Sequence, residues 1–287
     1  MGEVNTVVVG AGIFGQTIAA ALRKTGQKVL LFDSGEAMAG SKPSACLMKP
    51  SWFSGMGKDK YEPALKTLDE LFGIQDIVFE LRPPLNVLKK IGTATVHWCN
   101  PTKVLAGQFT RGKVQEYTKT DRGWQVTAEV GGRIGLVQTQ NLIIAAGIWT
   151  KSLVALPDLQ GKVGAAFIIP GATMGKPFIR PYAPFKQLVS FQRDEGVWVG
   201  DGSAINVENW NKERMLVSYR RCMEAVGSPP REKVNIIEGI RPYVKDLKGE
   251  PCLLLEQSKG FWICTGGHKN GMVAAGYVAH TLRNRLS

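Results

Sequence analysis

The strongest constraint on this chain lies within its first 33 residues. A short strand rich in β-branched residues, Val4 and Val7 to Val9, runs into Gly10-Ala11-Gly12-Ile13-Phe14-Gly15. A helix-like stretch follows from Gln16 to Lys24, the chain turns at Gly26, and Lys28 to Phe32 reads as a second strand ending in Asp33. Strand, glycine turn, helix, strand and acid in this order make a dinucleotide-binding unit. Gly10 permits the tight turn, Gly12 lets backbone N–H groups approach a pyrophosphate, and Gly15 lets the helix pack on the sheet. Unsatisfied amides and the dipole at the helix start favour phosphate there. Asp33 is placed to accept hydrogen bonds from ribose hydroxyls. A glycine turn that merely joined two elements would not need that acid.

With 287 residues the chain has room for about two structural units, at roughly 150 residues each. Its 44% hydrophobic and 21% charged content excludes a disordered polyelectrolyte. No apolar run approaches the roughly 18 to 20 residues of a membrane-spanning helix, and Met1 to Asn5 lead into a strand rather than a secretory signal. Cys46, Cys99, Cys222, Cys252 and Cys264 are odd in number, scattered and without a C-x-x-C pair. They suggest neither a disulfide framework nor a metal site, and they fit a reducing cytoplasm. The formal charge of +12 reads either as a scattered solubilising surface or as attraction to a polyanion such as nucleic acid.

Further along, Ser41-Lys42-Pro43-Ser44 and Lys49-Pro50-Ser51-Trp52 bracket a loop, and Leu65, Leu68 and Leu71 predict a helix over Glu62 to Leu71 that ends at Gly73. Strands are predicted at Ile77-Leu81, Val87-Leu88, Thr93-Val96, Lys113-Tyr117, Gln125-Val130, Ala165-Ile169, Gln187-Gln192 and Val197-Asp201. A helix is predicted at Lys212-Ala225, ended by Pro229-Pro230. Leu142 to Ala146 is an apolar strand whose small-residue end, Ala145-Ala146-Gly147, suits either a cofactor's close approach or tight packing. Gly260 to Gly271 reads as a strand and glycine-rich turn opening a last helix, a second N-terminus suited to partial negative charge. No flexible linker stands out, so the units should interleave.

The whole pattern resembles the FAD-dependent D-amino acid oxidase superfamily, especially its glycine oxidase and sarcosine oxidase branch. The resemblance rests on Gly10, Gly12, Gly15 and Asp33, the Ser41-to-Leu47 loop, Ala145-Ala146-Gly147-Ile148-Trp149, Gly239-Ile240-Arg241-Pro242, and Thr265-Gly266-Gly267-His268 with Gly271, in the family's order. It implies an α/β fold with a Rossmann-like FAD domain, residues 1–55, 93–163 and 236–287. A shortened substrate domain on an antiparallel sheet would be interleaved with it, residues 56–92 and 164–235. It also implies noncovalent FAD. Ile13, Phe14 and Ser34 would join the first turn in holding the cofactor, Ser41, Ser44 and Ala45 would lie near its phosphates, and Val114 would hold the adenine. Ala146, Gly147 and Trp149, with Gly267, His268, Asn270, Gly271 and Met272, would flank the isoalloxazine. Arg241 matches the substrate-carboxylate clamp, since a guanidinium offers two parallel donors. His268 and Lys269 stand beside it as catalytic candidates, with solvent the default for the Lys269 side chain.

Cys46 replaces a smaller residue, Lys269-Asn270 is bulkier than the family's turn, and the chain is shorter between Trp52 and Gly92 than family members are. That implies a thinner cover and a more open site. The absence of a Ser/His/Asp arrangement fits chemistry carried by a cofactor. The resulting expectation is oxidation of a glycine-type, N-substituted amine to an imine that hydrolyses to glyoxylate and amine, with the glycyl group carried on a DNA pyrimidine. The alternatives are an oxidase or dehydrogenase of free glycine, sarcosine or another small amino acid, modification of a carboxymethylaminomethyl-type uridine in tRNA, a noncatalytic FAD-binding protein, and a nicotinamide-dependent dehydrogenase.

Overall fold

Val7, Val8 and Val9 are buried because their strand is central in a parallel sheet, where both faces are covered. The computed structural model describes residues 3–53, 56–83, 92–183, 186–227, 234–245, 247 and 249–287. It begins with β1 (Val4–Val9), α1 (Ile13–Lys24), β2 (Val29–Asp33), β3 (Leu47–Met48), α2 (Lys58–Phe72), β4 (Ile74–Leu81), β5 (Gly92–Cys99) and α3 (Pro101–Leu105). There follow β6 (Thr110–Arg111), β7 (Lys113–Thr120), β8 (Gly123–Val130), β9 (Arg133–Ile144), β10 (Leu159–Ile169), β11 (Phe178–Ala183), β12 (Lys186–Arg193) and β13 (Gly196–Gly200). The chain closes with β14 (Ile205–Asn206), α4 (Lys212–Val226), β15 (Asn235–Val244), β16 (Leu253–Ser258), β17 (Phe261–Thr265) and α5 (Gly271–Leu286).

One sheet has the order β16-β17-β9-β1-β2-β6, parallel from β17 to β6, with β8 and β7 continuing from β9 as an antiparallel meander. α1 and α5 pack on one of its faces around Ile18, Leu22, Trp262 and Val278. The second sheet runs β14-β10-β13-β12-β11-β4-β5-β3, with β15 also paired to β10, and is antiparallel except for β4 beside β11. This is the mixed α/β architecture expected from the sequence. None of the described helices is long and apolar enough to cross a membrane.

Several boundaries differ from the sequence reading. α1 begins three residues earlier than expected, at Ile13, because extended Gly12 serves as its N-cap. α2 spans Lys58–Phe72 and does stop at Gly73, which has a φ of 74°. The short β3 and a 3-10 turn at Pro50–Phe53 occupy what was read as a loop. β11 and β15 escaped the periodicity because Pro181 and Pro242 interrupt their patterns. The strand expected at Val87-Leu88 and the helix stop at Pro229-Pro230 lie outside the described residues. β5, the start of β10 and β15 were grouped by sequence with the dinucleotide-binding unit. They pair in the second sheet instead, because β5 is the hairpin partner of β4 and β15 is the long antiparallel partner of β10.

A Cβ on Gly15 would overlap the Gly10 carbonyl oxygen, so α1 can cross β1 only at a residue without one. Gly15→Ala should therefore destabilise the protein by about 3 kcal/mol, as overpacking against rigid backbone does. Urea unfolding monitored by circular dichroism would measure it.

Candidate active site

The glycine turn is strained in the way the sequence requires. Gly10 has a φ of 103°, and a Cβ there would stand 2.5 Å from the Ala145 carbonyl oxygen. Asp33, at the end of β2, accepts from Ala11 N–H through Oδ2 at 2.6 Å and from Gly35 N–H through Oδ1 at 2.7 Å. Its carboxylate thus pins the turn as well as lining the cavity in front of it. The Ser41 hydroxyl accepts from Ile13 N–H at 2.9 Å and sits at the start of α1. A Cβ on Gly12 would approach that hydroxyl to 2.9 Å.

From this turn a cavity of about 990 Å³ extends between the two sheets. Gly10, Gly12, Ile13 and Phe14 line it, as do Asp33, Ser34 and Val114. Ser41, Ser44 and Ala45 form one wall, and Ala146, Gly147 and Trp149 come from the turn after β9. The loop before α5 brings Gly267, His268, Lys269, Asn270, Gly271 and Met272, while β15 contributes Arg241. Gly15 alone of the anticipated residues is not on the wall, since it lies beneath α1 against Gly10. Thr265 Oγ1 donates to the Gly147 carbonyl at 3.0 Å and ties the two glycine-bearing strand ends together. The Ser41 loop is anchored on β15 by the Ile240 N–H to Met38 carbonyl bond of 2.9 Å, so this loop and the Arg241 strand hold one another in place.

Arg241 and Lys269 give this end of the cavity its charge. Arg241 Nη1 donates to the Ser203 carbonyl at 2.7 Å. Burial lowers its pKa from the ordinary arginine value, and Asp201 opposes that effect. Lys269 is exposed, as a lysine in a glycine turn is expected to be, and it also lines the cavity, near Gly202. Burial lowers its pKa first, and repulsion from Arg241 and Lys186 adds to this. His268 has a left-handed φ of 43°, stacks edge-on against Tyr243 at 5.3 Å, and has a buried Nε2 without a hydrogen-bond partner. Desolvation, then Arg241 and Lys269, lower its pKa to about 4, so the imidazole is neutral near pH 7. Cys46 is buried on the cavity wall with a φ of 52°, and burial raises its thiol pKa to about 11. His97 pairs with Asp76 at 2.6 Å on β5 and β4, away from the cavity, and His280 lies along α5.

Sequence reasoning missed the second-sheet wall, where Gln187, Val189, Trp198 and Gly200 face the cavity, and Trp52 beside them. Those residues look like any strand interior. It also missed Gly164, where a Cβ would come within 2.8 Å of Arg241 Nη2; a glycine inside a strand was the available signal. No residue of α2 lines the cavity, because that helix packs on α5 instead.

Residues 8–45 match the NAD(P)-binding Rossmann-like domain family. The whole architecture is similar to glycine oxidase from Geobacillus kaustophilus, with 13% identity, 99% of this chain and 95% of that chain covered, and a TM-score of 0.71. The chain has the fold of glycine oxidase. It is also similar to an FAD dependent oxidoreductase from Pseudomonas aeruginosa (16% identity, 99% and 90% covered, TM-score 0.72). A third similar structure is iminodiacetate oxidase from Chelativorans sp. BNC1 (14% identity, 98% and 94% covered, TM-score 0.68). No curated protein matches at the level of sequence. This is the fold implied by the resemblance to the D-amino acid oxidase superfamily.

The buried neutral His268 ties stability to pH. Its proton affinity is lower folded than unfolded, so the unfolded chain binds more protons between about pH 6.5 and 4, and stability falls as pH drops through that window. The contribution is on the order of 3 kcal/mol. In His268→Gln the melting temperature should fall less between pH 7 and pH 4.5 than in the parent, as calorimetry at both values would record.

Proposed function

We propose that the chain is an FAD-dependent oxidoreductase that oxidises a glycine-type, N-substituted amine. The observation that carries this reading is one continuous cavity lined both by the glycine turn with Asp33 and by Arg241. The glycine-turn side fits an adenosine diphosphate moiety: Gly10 and Gly12 keep side chains out of the turn, the start of α1 points at it, and Asp33 retains lone pairs beyond its two backbone bonds. Phe14, Ala146, Gly147, Trp149 and the 267–272 loop would flank the flavin ring, and Val114 would face the adenine. Bound there, FAD supplies the two-electron acceptor for a hydride from the amine's α-carbon.

The chain's own residues orient that carbon. Arg241 fixes the substrate carboxylate in position and angle through paired N–H donors. His268, neutral and with an unpartnered Nε2, accepts a hydrogen bond from the amine, which must be uncharged to react. Lys269 adds positive charge without occupying the Arg241 donors. Trp198 and Val189 make the opposing wall apolar and limit water. Noncovalent attachment is supported by the cavity cysteines, since burial raises the Cys46 and Cys264 thiol pKa values and keeps both protonated.

For the substrate's remainder we favour a nucleic-acid base as carrier, on the +12 charge and on Lys162 and Lys186 near the Arg241 end. A DNA pyrimidine and a tRNA uridine are the two carriers within that class, and free glycine, sarcosine or another small amino acid is the competing choice. Iminodiacetate, the substrate that names one similar structure, is itself an N-substituted glycine.

The purified protein should be yellow, release intact FAD on heating, and lose its colour anaerobically with an N-substituted glycine. Gly12→Val should abolish flavin binding by crowding the turn and displacing Ser41. A colourless parent protein that FAD cannot reconstitute would overturn the assignment. Arg241→Lys keeps charge but loses the planar fork, so kcat/KM on a carboxylate-bearing amine should fall by about 10- to 1,000-fold. Glyoxylate release from free glycine, sarcosine and a glycyl-modified pyrimidine in DNA or tRNA would identify the carrier. Turnover of the free amino acids with none on either polymer would reject the nucleic-acid carrier.

A further inference from the structure

Asp201-Gly202-Ser203 leads from β13 to β14 directly behind the Arg241 guanidinium. Asp201 is wholly buried, which is costly for a carboxylate unless its oxygens are engaged. They are engaged. Oδ1 accepts from Ser203 N–H at 2.9 Å, and Oδ2 accepts from Ser203 Oγ at 2.7 Å and from Arg221 Nη1 at 2.6 Å. Gly202 has a φ of 64°, so the chain folds back sharply and Asp201 closes the turn with its own side chain. The product of this closure is one fixed carbonyl, that of Ser203, which accepts from Arg241 Nη1 at 2.7 Å. From the other side Gly164 leaves room for Arg241 Nη2, and a Cβ there would collide with the Ser203 carbonyl as well.

We infer that Asp201 is the positioning residue of the carboxylate clamp: its carboxylate locks the 201–203 turn so that the Ser203 carbonyl aims the Arg241 guanidinium. A carboxylate bonded straight to Arg241 would neutralise it and occupy the donors a substrate needs. A neutral carbonyl on Nη1 orients the same group and leaves its other N–H donors for a ligand. Asp201 is hydrogen-bonded on its far side to Arg221, whose guanidinium lies 4.4 Å from the Tyr182 ring centre, and the Tyr182 hydroxyl donates to the Asp201 carbonyl at 2.8 Å. The negative charge is therefore held by Arg221 on α4 rather than pointed at an incoming carboxylate.

The inference rests on the reading of Arg241 as a carboxylate clamp, and the test separates the two. Asp201→Asn puts an amide donor against Arg221 or Ser203 and loosens the turn. Asp201→Glu keeps the charge for Arg221, but its longer arm cannot close the same turn on Ser203 N–H. In the FAD-loaded protein both variants should raise KM for an N-substituted glycine roughly tenfold, with kcat within about threefold of the parent. Both should weaken calorimetric binding of methoxyacetate, a carboxylate with no oxidisable amine, by a similar factor. Arg221→Gln, which leaves both Ser203 bonds to Asp201, should lower the melting temperature while moving KM less than about threefold. Were Asp201 only an anchor for α4, Asp201→Asn and Arg221→Gln would lose stability alike and leave KM and methoxyacetate binding unchanged, which overturns the inference. Arg241→Lys is the control. If it weakens methoxyacetate binding while neither Asp201 variant does, the positioning role fails and the clamp stands; if Arg241→Lys has no effect, the clamp itself fails.

Discussion

The site depends on how closely α1 crosses β1. Gly15 lies so near the Gly10 carbonyl that no side chain fits between them, and Gly10 backs onto the Ala145 carbonyl with equally little room. These two contacts bring the C-terminal ends of β1 and β9 and the first turn of α1 to one point. β17 pairs with β9 in parallel, so its end and the start of α5 arrive there too. Ligand binding at the carboxyl ends of parallel strands follows from this geometry, because two helix N-termini and several loops must converge where the strands stop. Asp33 reinforces it locally: by accepting from Ala11 and Gly35 it makes the turn rigid before any ligand is present.

The cofactor end was legible in the sequence because its determinants are local. Gly10, Gly12, Gly15 and Asp33 fall within 24 residues, and their spacing encodes the contacts they make. The same holds for Gly266 to Gly271, a turn opening a helix. The Arg241 side of the cavity is assembled otherwise. Arg241 on β15, Gly164 on β10 and the Asp201 turn after β13 meet only because β10 pairs with both β15 and β13. Those pairings come from long antiparallel registers that no periodicity announces, and Pro242 disguised the very strand that carries Arg241. Arg241 could be picked out only through the resemblance of Gly239-Ile240-Arg241-Pro242, and Asp201 not at all. Lys269 is exposed as expected, and its place on the cavity wall follows from the fold. Its turn also faces a cavity whose opposite wall is supplied by the second sheet.

On the proposed reading, the glycine turn and the Arg241 side would each hold an anion, by different physical means. At the glycine turn the positive potential comes from backbone amides and a helix dipole, which cost no side-chain burial and carry no net charge to desolvate. On the Arg241 side it would come from Arg241 and Lys269: burial depresses both pKa values, repulsion from Arg241 depresses that of Lys269 further, and the two charges add to desolvation in holding His268 neutral. That arrangement is under electrostatic tension, and Asp201 relieves it only in part because Arg221 shares its charge. A bound carboxylate would relieve the remainder. The energy released on binding then goes to ordering the amine rather than to rearranging the protein, since the Ser203 carbonyl already sets the guanidinium's direction. Under the proposed function, such a pocket would discriminate by charge on the Arg241 side and leave the rest of the substrate loosely specified, which fits a cavity that no α2 residue lines.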